Sequence, residues 1–209
     1  MYATKISVIK YNGNKIAIAS FGGKAKTITG KPKEPNAPPN PDFDIATRIT
    51  ERIAIGINPS NEDEVYFLAA DTDNYGQRTD VFFNGVTWTS LWKYNASSNT
   101  WVDLSLNIPA NQNTSFDNFN AQGGYDLMVK VHPSDPNLVY IGGTNLWRST
   151  DGFTTPNNTS IIGGYRVGSS EGDGNWGVYE NHHPDQHYMI FHPGNPTRMI
   201  SARDGGLSY

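Results

Sequence analysis

Three stretches of the chain repeat one pattern: an apolar run, a turn built around proline, and a second apolar run. The turns centre on Pro59, Pro133 and Pro193, and an apolar residue follows each proline by seven positions, at Tyr66, Tyr140 and Ile200. Proline presets φ, while Asn, Asp and Ser close bends with side-chain hydrogen bonds, and neither group belongs inside a central strand. Each copy therefore reads as a β-hairpin. Successive prolines are 133 − 59 = 74 and 193 − 133 = 60 residues apart, longer than the roughly 40 to 50 residues of a compact four-stranded repeat. Loop insertions account for the excess.

A third strand follows two of the hairpins, as Leu91-Trp92-Lys93-Tyr94 and Leu146-Trp147-Arg148-Ser149. Four antiparallel strands in succession, repeated along a chain, build a propeller. The expected fold class is all-β, a β-propeller segment of about three four-stranded antiparallel blades. Its parts are residues 1–48, a partial blade plus a Pro-rich loop; 49–122, a blade with a long loop; 123–182, a second blade; and 183–209, the start of the next. Strands flanking Asn12-Gly13 carry a hairpin signal. The proline-rich stretch 31–41 reads as an extended surface loop. The Asn/Gln-rich span 107–122 reads as another, because it offers little to bury.

Composition removes several functional classes. Charged residues make up 17% of the chain and the net charge is −4, so the basic footprint of a nucleic-acid binder is missing. There is no Cys, which excludes disulfides, thiolate metal sites and cysteine nucleophiles. No apolar run reaches the length of a membrane helix, and residues 1–20 lack the basic-then-apolar order of a signal peptide. An exported form is expected to have lost its signal.

The second copy continues as Ser149-Thr150-Asp151-Gly152-Phe153-Thr154, and the last runs Asp204-Gly205-Gly206-Leu207-Ser208-Tyr209. The former resembles the Asp-box (BNR) repeat, Ser-x-Asp-x-Gly-x-x-Trp with Gly often directly after Asp. The resemblance implies that Asp and Ser close a turn between the third and fourth strands, over a packed aromatic. It assigns Ser149, Asp151, Gly152, Asp204 and Gly205 to such boxes, the first three within 123–182. Thr155-Pro156 stands where the box has its Trp, whereas the first copy keeps an aromatic, Trp101, without the Asp and Gly.

Together with Gln122-Gly123-Gly124-Tyr125-Asp126 and Asn181-His182-His183-Pro184-Asp185-Gln186-His187, these motifs make the chain, from about residue 49 onward, similar to the large secreted BNR/YVTN (sortilin-like) propellers of bacteria that use the type IX export route. Such proteins are usually much longer. The resemblance implies a fragment, secreted or at the cell surface, whose remaining blades belong to the same polypeptide or to neighbouring subunits. It implies a non-catalytic module for recognition and scaffolding, with glycan or protein ligands. The alternatives are a propeller glycoside hydrolase acting on polysaccharide and a structural subunit of a surface assembly.

Four groups of residues are candidates for chemistry. If residues 183–187 are extended, His183, Asp185 and His187 share one face and can converge on a divalent cation, calcium or zinc. The alternative is a hydrogen-bonded polar cluster at the start of an inner strand. Glu171-Gly172-Asp173-Gly174-Asn175 is a second candidate for calcium. Glycoside hydrolysis needs two carboxylates, for which Asp126, Asp185 and Asp204 qualify by their position at repeat junctions. Trp88 and Trp176, in loop-like contexts, are candidates for stacking on sugar rings, whereas Trp92 and Trp147 are repeat-equivalent and expected in the core.

Overall fold

The computed structural model describes residues 5–11, 14–20, 52–70, 72, 74–110, 115–169 and 176–209, the first two segments as backbone strands only. The stretches 31–41 and 171–175 lie outside the described residues. Apart from two short 3₁₀ turns at Ser105–Asn107 and Ser115–Asp117, the regular structure described is all β, and every strand pair is antiparallel.

Strands β1 (Lys5–Tyr11) and β2 (Asn14–Ser20) pair as the hairpin expected around Asn12-Gly13. The first sheet contains β3 (Arg52–Ile57), β4 (Glu64–Ala70), β5 (Gln77–Val81), β6 (Gly85–Asn95) and β7 (Thr100–Asp103). β6 pairs with β4 over Thr89–Asn95, with β5 over Gly85–Thr89 and with β7 over Trp92–Asn95. The β5–β6 hairpin is thus an insertion into a β3-β4-β6-β7 meander, and it lengthens the first repeat. The second sheet is a plain meander of β8 (Met128–Val131), β9 (Val139–Gly142), β10 (Leu146–Ser149) and β11 (Thr159–Gly163). The third holds β12 (Gln186–His192), β13 (Asn195–Arg203) and β14 (Gly206–Ser208).

All three proline turns lie in hairpins, and they are built by the same bonds. The residue before each proline accepts the N–H two positions on: Asn58 from Ser60 (3.0 Å), His132 from Ser134 (3.2 Å), His192 from Gly194 (3.1 Å). The residue two after each proline does likewise: Asn61 from Asp63 (3.4 Å), Asp135 from Asn137 (3.0 Å), Asn195 from Thr197 (3.2 Å). Side-chain acceptors of this kind mimic a backbone turn and need no distant partner. Each hairpin is therefore specified locally.

Strand alternation then decides which neighbour each side chain meets. Tyr66, Leu68 and Leu91 of the first sheet pack with Val129, Val131, Val139, Ile141 and Trp147 of the second. The opposite face of the second sheet, with Met128, Tyr140 and Leu146, packs on Met189, Phe191 and Met199 of the third. The parity is the same in each copy: residues two and four before the proline face back, and the residue seven after it faces forward. Trp92 and Trp147 both face back and are buried, as expected of core positions. Each such burial contributes about 1.5–3 kcal/mol or more. The forward face of the third sheet exposes Tyr188, Ile190, Ile200 and Leu207. Among the described residues the sheets do not close on one another, and no helix is long and apolar enough to cross a membrane.

The span 107–122 departs from expectation. Of its described part, Phe116, Asp117, Asn118, Phe119, Asn120 and Ala121 are all buried, and Phe119 and Ala121 belong to the core between the first two sheets. Long-range bonds make this polar segment buriable. Asn118 Nδ2 donates to the Asp80 carbonyl (2.8 Å), Thr79 Oγ1 to that of Phe119 (2.9 Å) and Asn145 Nδ2 to that of Phe116 (2.7 Å). Buried backbone groups need such partners.

Candidate functional site

A polar residue stands seven positions before each proline, Arg52, Asp126 and Gln186, at the leading end of the three first strands. The chain reaches Asp126 through a tight turn, with Gln122, Gly123 and Gly124 at φ of 45°, 66° and 80°. A Cβ at Gly124 would lie 3.0 Å from Arg52 Cβ, so the turn sits directly on β3. Arg52 Nη1 ties it down by donating to the carbonyls of Gly124 (3.0 Å) and Tyr125 (2.6 Å).

Asp185 arrives from the other side. Its N–H donates to the Thr144 carbonyl (2.8 Å), the Gln186 N–H to that of Gly143 (2.9 Å), and the Asp204 N–H to the carbonyl of Asp185 (3.2 Å). These bonds bring together the three carboxylates that the sequence put forward. Gln122 Nε2 donates to Asp126 Oδ2 (2.7 Å) and to Asp185 Oδ1 (2.5 Å). His187 Nε2 lies 2.6 Å from Asp204 Oδ1 and its Nδ1 3.9 Å from Asp126 Oδ1. The Tyr125 hydroxyl donates to Asp204 Oδ1 (3.2 Å), and its ring meets His187 edge to face at 5.1 Å.

The surroundings push the carboxyls in opposite directions. Asp126 is fully buried, and burial together with the Asp185 charge pushes its carboxyl up to about 8. Burial also raises Asp185. Asp204, 45% exposed, is held below the ordinary carboxylate value, first by the His187 bond and then by Tyr125. Carboxyls pushed up and down within a single network are the ingredients of acid–base chemistry.

Gln122 and Tyr125 were not foreseen. Their signal in the sequence is the Gly123-Gly124 turn delivering them beside a polar residue that heads an apolar strand.

The expected His183, Asp185 and His187 face does not form. β12 begins only at Gln186, and Asp185 has a φ of 69°, so the alternation that would align the three side chains is broken before the strand starts. His183 packs instead on Gly205, where a Cβ would lie 2.6 Å from that of His183. Among the described residues no group of three or more His, Asp or Glu side chains is arranged to hold a metal ion.

Ser149, Asp151 and Gly152 close the turn between β10 and β11. Ser149 Oγ donates to Asp151 Oδ1 (2.8 Å) and accepts the N–H groups of Phe153 (2.8 Å) and Asp151 (3.3 Å). Thr155 and Asn158 both donate to Asp151 Oδ2. Burial opposes ionisation of Asp151, but bonds from Thr155, Asn158, Ser149 and Thr154 outweigh it and lower the carboxyl to about 2. Phe153, buried beneath, joins the main core.

Asp204 and Gly205 do not form an equivalent turn. They connect β13 to β14, the second and third strands of their sheet, and the Asp204 carboxylate bonds His187 and Tyr125. The Asp-Gly pair alone does not identify the box, because its defining Ser two positions earlier is here Ala202.

Trp88 and Trp176 part company. Trp88 is half-buried in β6 opposite Arg78. Trp176, 42% exposed, sits in an aromatic patch with ring centroids 5.7 Å from Phe116, 5.9 Å from Phe83 and 6.3 Å from Tyr165. Phe83, 67% exposed, reaches it from the tip of the β5–β6 hairpin. Compared with protein-family models and with curated proteins, the chain matches none.

Proposed function

We propose that the chain is part of an Asp-box β-propeller, about three successive blades, serving as a recognition and scaffold module outside the cell or at its surface. The observation that carries this reading is the triple recurrence of one hairpin, with the same turn bonds and the same facing parity in stacked sheets. The Ser149–Asp151 turn over Phe153 supports the Asp-box assignment. The exposed face with Tyr188, Ile190, Ile200 and Leu207 is where a further blade, of the same polypeptide or a neighbouring subunit, would pack.

Ligand recognition is assigned to the aromatic patch around Trp176 and Phe83, since exposed rings suit the apolar faces of sugars. Glycan-array binding followed by titration calorimetry tests it. The expected result is a glycan ligand whose affinity falls about tenfold or more in Trp176→Ala, a loss of ~1.4 kcal/mol or more. A bound glycan indifferent to that substitution argues against the patch, and no glycan binding at all argues for protein ligands.

A second reading, glycoside hydrolysis, is favoured by the gathering of Asp126, Asp185 and Asp204, with Asp126 pushed up and Asp204 held down. Asp185 and Asp204 would be the carboxyl pair, with Asp204 as the base for water. Release of reducing sugar from a polysaccharide panel, abolished by Asp185→Asn, would establish it and displace the non-catalytic reading.

A further inference from the structure

We propose that the Asp126–Asp185 contact is a proton-operated latch holding the leading end of the third sheet against the second. Asp126 Oδ1 is buried, and no hydrogen-bond donor among the described residues reaches it. The Gln122 amide bonds the other Asp126 oxygen, Oδ2, and Asp185 Oδ1, so it leaves Asp126 Oδ1 unserved. Two carboxyls side by side attract only when one of them is protonated and bonds to the other as O–H···O⁻. The missing donor is that proton.

The groups facing Asp126 come from four places. Its own turn contributes Gln122 and Tyr125; β3 contributes Arg52, engaged with the Gly124 and Tyr125 carbonyls. Residues 183–187 contribute Asp185 and His187, with His183 acting on Asp185, and the β13–β14 turn contributes Asp204. Without the proton, three carboxylates face one another with His187 beside them, in a site where one of the three is fully buried. The contact then repels.

What the repulsion strains are the backbone bonds joining the sheets, Asp185 to Thr144 and Gln186 to Gly143, and with them the Asp204 to Asp185 bond. Direction follows from linkage. The Asp126 carboxyl rises from 3.8 to about 8 on folding, so the native state binds more protons than the unfolded chain between those values, and stability falls as pH climbs through that window. The latch is closed at neutral and acidic pH and opens above about 8.

Hydrogen exchange at about pH 7 and about pH 9.5, each normalised to the intrinsic rate, tests this. Protection of the Asp185, Gln186 and Asp204 amides is expected to fall about tenfold or more at the higher pH in the native sequence, as for a local opening. Asp126→Asn keeps an acceptor for Gln122 and supplies a non-ionisable donor to Asp185, so its protection is expected to stay level. An infrared band of a protonated carboxyl should be present at about pH 7 in the native sequence and absent at about pH 9.5, a measurement that needs no variant. Equal protection at both pH values, the same fall in Asp126→Asn, or no such band at about pH 7 would each overturn the latch.

Discussion

Replacing Ser149 by Ala removes a single oxygen from the β10–β11 turn, and the structure gives the cost. The hydroxyl is fully buried and accepts the Phe153 N–H at 2.8 Å while donating to Asp151 at 2.8 Å. Alanine leaves the Phe153 N–H without that acceptor beneath a core aromatic, a desolvation penalty of about 1–3 kcal/mol. Asp151 keeps Thr155 and Asn158, so the loss of its Ser149 bond adds little, and the sum is about 1–3 kcal/mol. For a chain of this size that lowers Tm by about 2–12 °C. Urea unfolding followed by tryptophan fluorescence reads the change directly, with exposed Ser134→Ala as control. A Ser149→Ala midpoint matching that control would refute the claim that the hydroxyl organises the turn.

Gly152→Ala tests the same turn from the backbone. Its φ is 66° and a Cβ would sit 2.9 Å from Tyr66 Oη, so a loss of about 1–2 kcal/mol or more in urea unfolding is expected. Because Asp151 has a folded value of about 2 against 3.8, the stability it contributes is present above 3.8 and is lost as pH falls through about 2; Asp151→Asn should flatten the acid limb of a pH–stability curve over that window. Asn145→Ala, which removes the donor to Phe116 O and the acceptor of the Tyr165 N–H at 2.6 Å, should cost about 2–4 kcal/mol by calorimetry and expose the aromatic patch to a fluorescence quencher.

The sequence reveals what is encoded within a few residues. The three hairpins were legible because Asn58, His132 and His192 bond their own turns. The Ser149–Asp151 turn was legible for the same reason. Burial of 116–121 was not, because the partners that make it tolerable, Asp80, Thr79 and Asn145, lie up to about forty residues away in sequence. Asp126, Asp185 and Asp204 could be named from their junction positions, but their convergence depends on Gly143 and Thr144 receiving the chain before β12. The metal face failed on one dihedral angle, that of Asp185, which periodicity does not report.

Because alternate residues along each strand serve different neighbouring sheets, the strands carry something like a reading frame. Inserting or deleting one residue within β8 would turn Val129 and Val131 toward the third sheet and Met128 toward the first, scrambling two interfaces at once. Growth in length is harmless only between strands, which is where this chain has placed it: the β5–β6 hairpin in one repeat, and the segment from β11 to β12 in the next. Phe83 and Trp176 of the aromatic patch lie on those two connections, so new binding chemistry can be tried there without disturbing the stack.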